Sequence, residues 1–383
     1  MKSQIYTNDA SEQLQQLPAE SIHMAMTSPP YWNLRDYGVD GQLGLEDSAE
    51  DYVSNIADVM DEVKRVLRPD GSLWLNLGDT YDSKDLQQIP ARVALELQNR
   101  GWILRNRVTW TKPNPMPQSV KDRLNDTTEA IFHFVKERDY WYDLDAIREP
   151  HAQSSKGRAK NAGGHGGWGA HDIDELSHGG LDKPISEQLS PAGKNPGDVF
   201  EVTTKPFPEA HFAVYPPELV EKPLKATCPP KVCAECGSPY EREVERTTYS
   251  GEYGIEDEEA TKTREEALEE HKDNPDGYAS AQGRNLGGRQ YRKWKRNNPD
   301  EFKGWTPTCD CDTDATEAGI ALDPFAGAGT TLLKAKELGR KFTGIELNPE
   351  YADMARARVG LDVEDPSNIR DDDGQEGLEA YTD

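Results

Sequence analysis

The sequence predicts an α/β fold: one mostly parallel sheet, flanked by helices and assembled from both ends of the chain. Three observations lead there. The first 150 residues alternate strand-like and helix-like runs, the βαβαβ rhythm of a parallel sheet with helices on its faces. The same rhythm resumes in 319–358. That second piece supplies only two strands, too few for a stable sheet of their own, so they must join the first piece.

The elements follow in order. Ser21–Ser28 (SIHMAMTS) reads as a short strand. Ser48 caps an amphipathic helix to Leu67, in which Tyr52, Ile56, Val59, Val63 and Val66 recur at spacings of three and four. Gly71–Leu77 reads as a strand entered through a Pro69-Asp70-Gly71 turn. A helix over Ile89–Gln98 and strands over Trp102–Trp110 and Ala130–Val135 complete the first piece. Residues 151–198, rich in Gly, Ser, His and Lys, show no periodicity; His211–Leu224 resumes order; 237–305 is polar and reads as an insertion. The second piece reads as strand Gly319–Asp323, helix Thr330–Leu338, strand Phe342–Leu347 and helix Pro349–Arg358. The tail from Leu361 carries nine acidic residues and one Arg and is expected to be disordered.

The chain has 383 residues, with 44 Lys+Arg against 70 Asp+Glu, a net charge of −26. No apolar run reaches the roughly 18 residues that a membrane span needs. Nothing behind Lys2 resembles a secretory leader, so a cytoplasmic protein is expected. The acidity argues against a simple phosphate-binding protein.

Two motifs carry chemistry. The first, Asp323-Pro-Phe-Ala-Gly-Ala-Gly-Thr-Thr331, lies between a strand and a helix. Gly327 and Gly329 let a ligand approach the backbone, and the helix N-terminus favours an anionic group. Glu346, at the end of the next strand, can hold ribose hydroxyls of a nucleoside cofactor. The glycine signature is incomplete, because position 332 is Leu. The second motif, Thr27-Ser-Pro-Pro-Tyr-Trp32, ends a strand. Pro29 and Pro30 fix a rigid turn there. It presents the Ser28 hydroxyl, the Pro29 carbonyl and the Tyr31 ring, a set suited to an exocyclic amine on a flat heterocycle.

Together the motifs resemble those of amino-group DNA methyltransferases of restriction–modification systems, in the permuted order called the β class. That family carries its Ser/Asp/Asn-Pro-Pro-Tyr motif first and its Asp-Pro-Phe-x-Gly-x-Gly-Thr motif last. Further likeness lies in Ile5–Pro18, Gly71–Asp79, Val108–Asn114, His211–Leu219 and Gly344–Tyr351, so the resemblance spans about 1–150 and 196–358. It implies a circularly permuted Rossmann-like, S-adenosylmethionine-dependent methyltransferase fold with an inserted recognition region, to which the cysteines add a zinc-ribbon-like insertion; the resemblance does not cover that insertion or the tail. By the same resemblance, residues 1–150 form the catalytic half, 151–198 the target-recognition region, 199–227 the block before the cofactor motif and 313–360 the cofactor half. Ser28, Pro29, Pro30 and Tyr31 become the catalytic set. Asp9, Asp323, Pro324, Phe325, Gly327, Gly329, Thr330, Glu346, Asn348 and Phe212 become the cofactor set.

The implied substrate is double-stranded DNA, with a cognate restriction endonuclease as a further partner and a monomer or homodimer as the working form. Ser28 leans toward cytosine N4; Asp or Asn there is commoner in enzymes acting on adenine N6, the runner-up. Cytosine C5 chemistry needs a cysteine nucleophile after proline, and no Pro-Cys dipeptide occurs. Two further possibilities compete: a non-catalytic zinc-stabilised DNA-binding protein on the same fold, and the same chemistry on RNA or a small molecule.

Cys233-x-x-Cys236 and Cys309-x-Cys311 supply four thiolates, enough for a tetrahedral structural zinc site clamping the base of a 228–312 insertion. Cys228 stands apart and could substitute in the set. For DNA contact, Ala281–Asn298 offers Arg284, Arg289, Arg292, Lys293, Lys295 and Arg296 with interleaved Tyr291 and Trp294, and no acid. Lys156 and Arg158 form a second candidate, and Lys112, Lys121 and Arg123 are candidates to flank the groove. The spread acidity resembles surfaces of salt-loving archaeal proteins. At molar salt the Debye length is about 3 Å, so the net charge does not veto DNA.

Overall fold

A computed structural model describes residues 2–151, 193–204, 215–245 and 301–364. Phe212, Lys156, Arg158, the six basic residues of 281–298 and the tail beyond Glu364 lie outside the described residues. Two compact units are distinguished: Met1–Ile147 with Gly197–Glu241 and Trp305–Asp383, and Arg148–Pro196 with Arg242–Gly304.

In the larger unit the chain runs β1 (Gln4–Thr7), α1 (Ala10–Gln16), β2 (Ile22–Thr27), α2 (Ala49–Val66), β3 (Leu67–Leu77), the short hairpin β4–β5 (Tyr81–Asp82, Asp85–Leu86), α3 (Ile89–Asn99), β6 (Ile103–Thr111) and β7 (Thr128–Val135). After the 3-10 turn Leu144–Ile147 come β8 (Val199–Glu201), α4 (Pro217–Thr227) and β9 (Val232–Cys233). Strands β10 (Tyr240–Glu245) and β11 (Glu301–Pro307) pair as a two-stranded ribbon. Then follow β12 (Thr316–Glu317), β13 (Ile320–Asp323), α5 (Thr330–Glu337), β14 (Lys341–Glu346) and α6 (Pro349–Val359).

The main sheet has eight strands in the order β1-β14-β13-β2-β3-β7-β6-β8. The C-terminal strands β13 and β14 therefore sit between β1 and β2, as the two-strand argument requires. Pairings from β1 to β3 are parallel; β7 runs antiparallel to both neighbours. Strand order reverses between β13 and β2, which makes their carboxyl ends the crevice where ligands of open α/β sheets bind. Because β7 runs backwards, its first residues Thr128 and Glu129 reach that same edge. So do the last residues of β6.

Sequence pattern explains the layering. All six residues of β2 are buried, as a central strand covered on both faces must be. Ala25 joins the core beneath α1, α2 and α3, whereas Met24 and Met26 join the core beneath α4, α5 and α6. Ser48 caps α2 by accepting from the Asp51 N–H at 3.1 Å, and the stripe Tyr52, Ile56, Val59, Val63 and Val66 is buried. The expected Pro69-Asp70-Gly71 turn is absent: β3 begins at Leu67, and the surplus residues are absorbed in an irregularity where pairing jumps from Ile22↔Leu67 to Met24↔Ser72.

The expected disorder from Leu361 also begins too early. Arg356, 4% exposed, pairs with buried Asp353 at 2.8 Å and reaches the Ile5 carbonyl at 3.0 Å. It also meets Glu364 at 2.7 Å, so the chain is held through that residue. In the smaller unit, Glu149 and Lys194 exchange backbone hydrogen bonds of 3.0 and 2.8 Å and pair through their side chains at 3.0 Å.

Candidate active site

The catalytic motif leaves the end of β2 at the crevice. Thr27 donates to the Asp323 carboxylate at 2.6 Å and so joins the two motifs across the strand-order reversal. The Tyr52 hydroxyl on α2 donates to the Pro30 carbonyl at 2.8 Å, fixing the proline turn from beneath. The Tyr31 ring lies against Gly78: a Cβ there would stand inside the ring's van der Waals surface, which explains the glycine. The Ser28 hydroxyl donates to Tyr31 Oη at 3.2 Å, and Tyr31 donates to Glu129 Oε2 at 2.7 Å. Asn76 Nδ2 donates into the same cluster, 3.2 Å from Ser28 Oγ, 2.8 Å from Tyr31 Oη and 2.8 Å from Glu129 Oε2. Lys112 pairs with the other oxygen of Glu129. Burial, then the Glu129 charge, push the Tyr31 phenol well above its ordinary value.

Sequence pattern does not single out Asn76 or Glu129. Asn76 stands only as part of the GSLWLNLGD block, and Glu129 lies one residue before the expected strand. Nothing in the spacing joins residues 28, 31, 76 and 129; an antiparallel β7 does. Lys112 lies against Glu129 and over the Trp110 ring, 4.8 Å from its centroid, rather than free in a groove. Arg123 pairs with Asp126 at 2.9 Å and covers the Tyr81 ring. Lys121 is exposed.

The cofactor motif leaves β13 as a tight turn. Gly327 has φ +51°, and nothing lies within 4 Å of where its Cβ would stand. Its N–H donates to Glu346 Oε2 at 2.7 Å, and the Asn348 N–H donates to Oε1 at 2.9 Å. Burial raises the Glu346 carboxyl above its ordinary range. Burial, then the Glu346 charge, push the Tyr351 phenol up to about 12. Tyr37 feels the same carboxylate, so two rings outside both motifs border it. The Thr330 hydroxyl, at the first residue of α5, is buried without a partner among the described residues. Open space at Gly327, an acid beside it and an orphan hydroxyl fit a nucleoside cofactor. Phe325 is partly buried against the core. Asp9 and Asn348 cap α1 and α6, accepting from the Glu12 and Glu350 N–H groups at 3.0 and 2.9 Å.

Asp323 faces inward, 1% exposed, and accepts from Thr27, Tyr215 at 3.1 Å and the Phe325 N–H at 3.2 Å. Tyr215 also bonds Thr331, which ties the block before α4 to the cofactor turn. Burial pushes the Asp323 carboxyl up to about 7. In the unfolded chain it ionises near 4. The folded state therefore holds its proton longer, and this group lowers stability as pH rises from about 4 to 7, with the full cost above that. Asp323→Asn is expected to remove this slope. Urea unfolding at pH 4, 5.5 and 8 checks it: a wild-type-minus-variant stability difference that stays constant across this range refutes the assignment.

The four cysteines gather as expected: Sγ atoms of Cys233, Cys236, Cys309 and Cys311 lie within 4.8 Å of one another. Tetrahedral Zn–S bonds of ~2.3 Å require S···S separations of ~3.8 Å, so four thiolates at this spacing suit such an ion. All four fall in the larger unit. The Gly237 carbonyl accepts from His23 Nε2 at 2.9 Å and the Cys236 carbonyl from Arg68 at 3.0 Å, which anchors the cysteine turn to β2 and β3. Cys228 does not join: it ends α4 in the apolar core, and burial pushes its thiol up to about 12.

A mostly parallel sheet with open space at Gly327, the Glu346 carboxylate beside it and a Pro-Pro turn at the strand-order reversal has the fold of S-adenosylmethionine-dependent methyltransferases, a class of group-transfer enzymes. A family profile described as DNA methylase, of the N6/N4 type, matches residues 22–233 and 314–357. The chain belongs to that family and is a DNA amino-methyltransferase. It is 30% identical over 386 residues to the type II methyltransferase M.XycI of Xanthomonas campestris pv. cyanopsidis, covering 93% of this chain and 87% of that one. It is 46% identical over 167 residues to M.SfiI of Streptomyces fimbriatus, covering 39% and 40%. Among solved structures, PvuII DNA methyltransferase (cytosine-N4-specific) matches the fold with a TM-score of 0.52 at 17% identity, over 95% of this chain and 88% of that one. None of these comparisons bears on the salt-adapted origin expected from the acidity. No helix among the described residues is long and apolar enough to cross a membrane.

Proposed function

We propose that this chain methylates the exocyclic N4 amine of cytosine in double-stranded DNA, after flipping the base out of the helix. The observation that carries the reading is the Ser28 hydroxyl, held beside the cofactor turn by Asn76 and Tyr31. S-adenosylmethionine, when bound, supplies an electrophilic methyl group. The Gly327–Gly329 turn and Glu346 would hold its nucleoside, with Glu346 toward the ribose hydroxyls. Ser28 Oγ and the Pro29 carbonyl accept the N–H groups of the amine. That favours the pyramidal nitrogen, whose lone pair is no longer delocalised into the ring. Tyr31, fixed by Gly78 on its face and Glu129 at its hydroxyl, serves as the stacking platform. Catalysis is then positioning and electrostatics. The four thiolates hold a structural zinc, because a closed four-sulfur shell leaves no open catalytic position. The enzyme works in the cytoplasm, as monomer or homodimer, beside a cognate endonuclease.

The test is methyl transfer to DNA followed by nucleoside mass spectrometry, with single-molecule sequencing of DNA from cells with and without the protein to find the site. N4-methylcytosine is expected. N6-methyladenine would overturn the base assignment, and no methylated nucleoside would overturn the activity.

A further inference from the structure

The structure carries a second consequence of the Ser28 cluster, which rests on the reading that the substrate is an exocyclic amine. Transfer leaves that nitrogen with a positive charge and one proton in excess. Its lone pair has formed the new N–C bond, and the electron pair of the broken S–C bond stays on sulfur. The proton must leave from a site closed to water by the flipped base. From Ser28 the hydrogen bonds run in one direction: Ser28 Oγ to Tyr31 Oη at 3.2 Å, then Tyr31 Oη to Glu129 Oε2 at 2.7 Å. We propose that Glu129 is the terminal proton acceptor of methyl transfer, reached from the target amine through Ser28 and Tyr31.

The amine proton passes to Ser28 Oγ as the Ser28 proton passes to Tyr31 and the Tyr31 proton to Glu129. The products are a neutral methylamine, a neutral thioether and a protonated Glu129, which returns its proton to water once the base has left. Asn76 Nδ2 touches all three oxygens and fixes their order, so it is a positioning residue. Among the described residues, the titratable groups facing the Glu129 carboxylate are Lys112 from β6 and Tyr31 from the turn after β2. Tyr52 of α2 faces Tyr31 in turn, and Asn76 of β3 is neutral. Lys112 pairs with the carboxylate oxygen that Tyr31 leaves free. The Glu129 side chain is 14% exposed and the Lys112 side chain 22%, which leaves the outer end of the pair a way to solvent.

The experiment compares single-turnover methyl transfer in the wild type, Glu129→Gln and Tyr31→Phe, across pH, on the base that the wild type modifies. Loss of wild-type transfer would indict the function, not the relay. Glu129→Gln is expected to slow transfer about 10²-fold with DNA and cofactor binding retained, and to recover as pH rises and hydroxide takes the proton. Tyr31→Phe keeps the ring and breaks the chain, so it should slow transfer equally, and the double variant should be no slower. Difference infrared spectra during a single turnover should show a protonated-carboxyl band that Glu129→Gln lacks. Wild-type rates in either variant, losses that multiply in the double variant, or the same band in Glu129→Gln would each overturn the relay.

Discussion

Ser28→Ala is expected to slow methyl transfer about 10²–10³-fold while leaving S-adenosylmethionine binding unchanged. On the proposed reading, the hydroxyl accepts from the amine only as the nitrogen pyramidalises. It is therefore an interaction realised in the transition state, and its loss lowers kcat rather than raising KM. Removing one preorganised hydrogen-bonding group of this kind costs about 10²–10³ in rate. The cofactor half supports the second part of the expectation. Gly327 lies in the turn between β13 and α5, Thr330 opens α5 and Glu346 ends β14, and the hydrogen bonds of Gly327 and Glu346 do not include Ser28. Isothermal titration with S-adenosylmethionine and rapid-quench transfer separate the two effects. A variant that transfers at the wild-type rate, or that loses the cofactor as well, would refute the placement of Ser28 against the amine.

Much of this arrangement is legible in the chain because its signals are local. Ser48 and the stripe on α2, the two motifs at strand ends and the paired cysteines each lie within a short window, and each stands where its pattern puts it. The assembly of one sheet from both ends is also legible, because two strands cannot stand alone. What escapes reading is what depends on pairing. Glu129 reaches the site only because β7 is antiparallel, and nothing in TEAIFHFV distinguishes the two directions. The turn expected at Pro69–Gly71 fails for a related reason: the strand absorbs those residues in an irregular register with β2. Lys112 resembles a phosphate ligand because a charge in sequence has no partner; in the fold its partner is seventeen residues away. Cys228 is ambiguous by spacing alone, and its burial at the end of α4 decides it.

Stripping metal from the cysteine cluster is expected to cost more stability than any single core substitution. Structural zinc contributes about 10–16 kcal/mol of apparent binding free energy in small finger peptides. Here the cluster stands on a larger core, so the melting temperature should fall without wholesale unfolding. The contacts that carry the effect can be named. The Cys233 N–H donates to the Ser238 carbonyl at 2.9 Å and the Gly237 N–H to the Cys233 carbonyl at 2.9 Å, closing the turn that presents the thiolates. That turn in turn meets His23 on β2, the central strand that ends in the catalytic motif. Burial pushes the His23 imidazole down to about 4, so at neutral pH it is an uncharged donor to the Gly237 carbonyl and an acceptor, at 3.1 Å, from the Ile320 N–H of β13. Loosening the cysteine turn therefore removes a brace shared by β2 and β13, the two strands that bracket the crevice. Cys309→Ser should lower the melting temperature and release the ion to a chromogenic chelator, with cofactor affinity weakened far less than stability. Cys228→Ser should leave the metal in place and cost only what a buried hydroxyl costs in an apolar core, about 1–3 kcal/mol. Equal metal loss in the two variants would remove Cys228 from the core and return it to the ligand set.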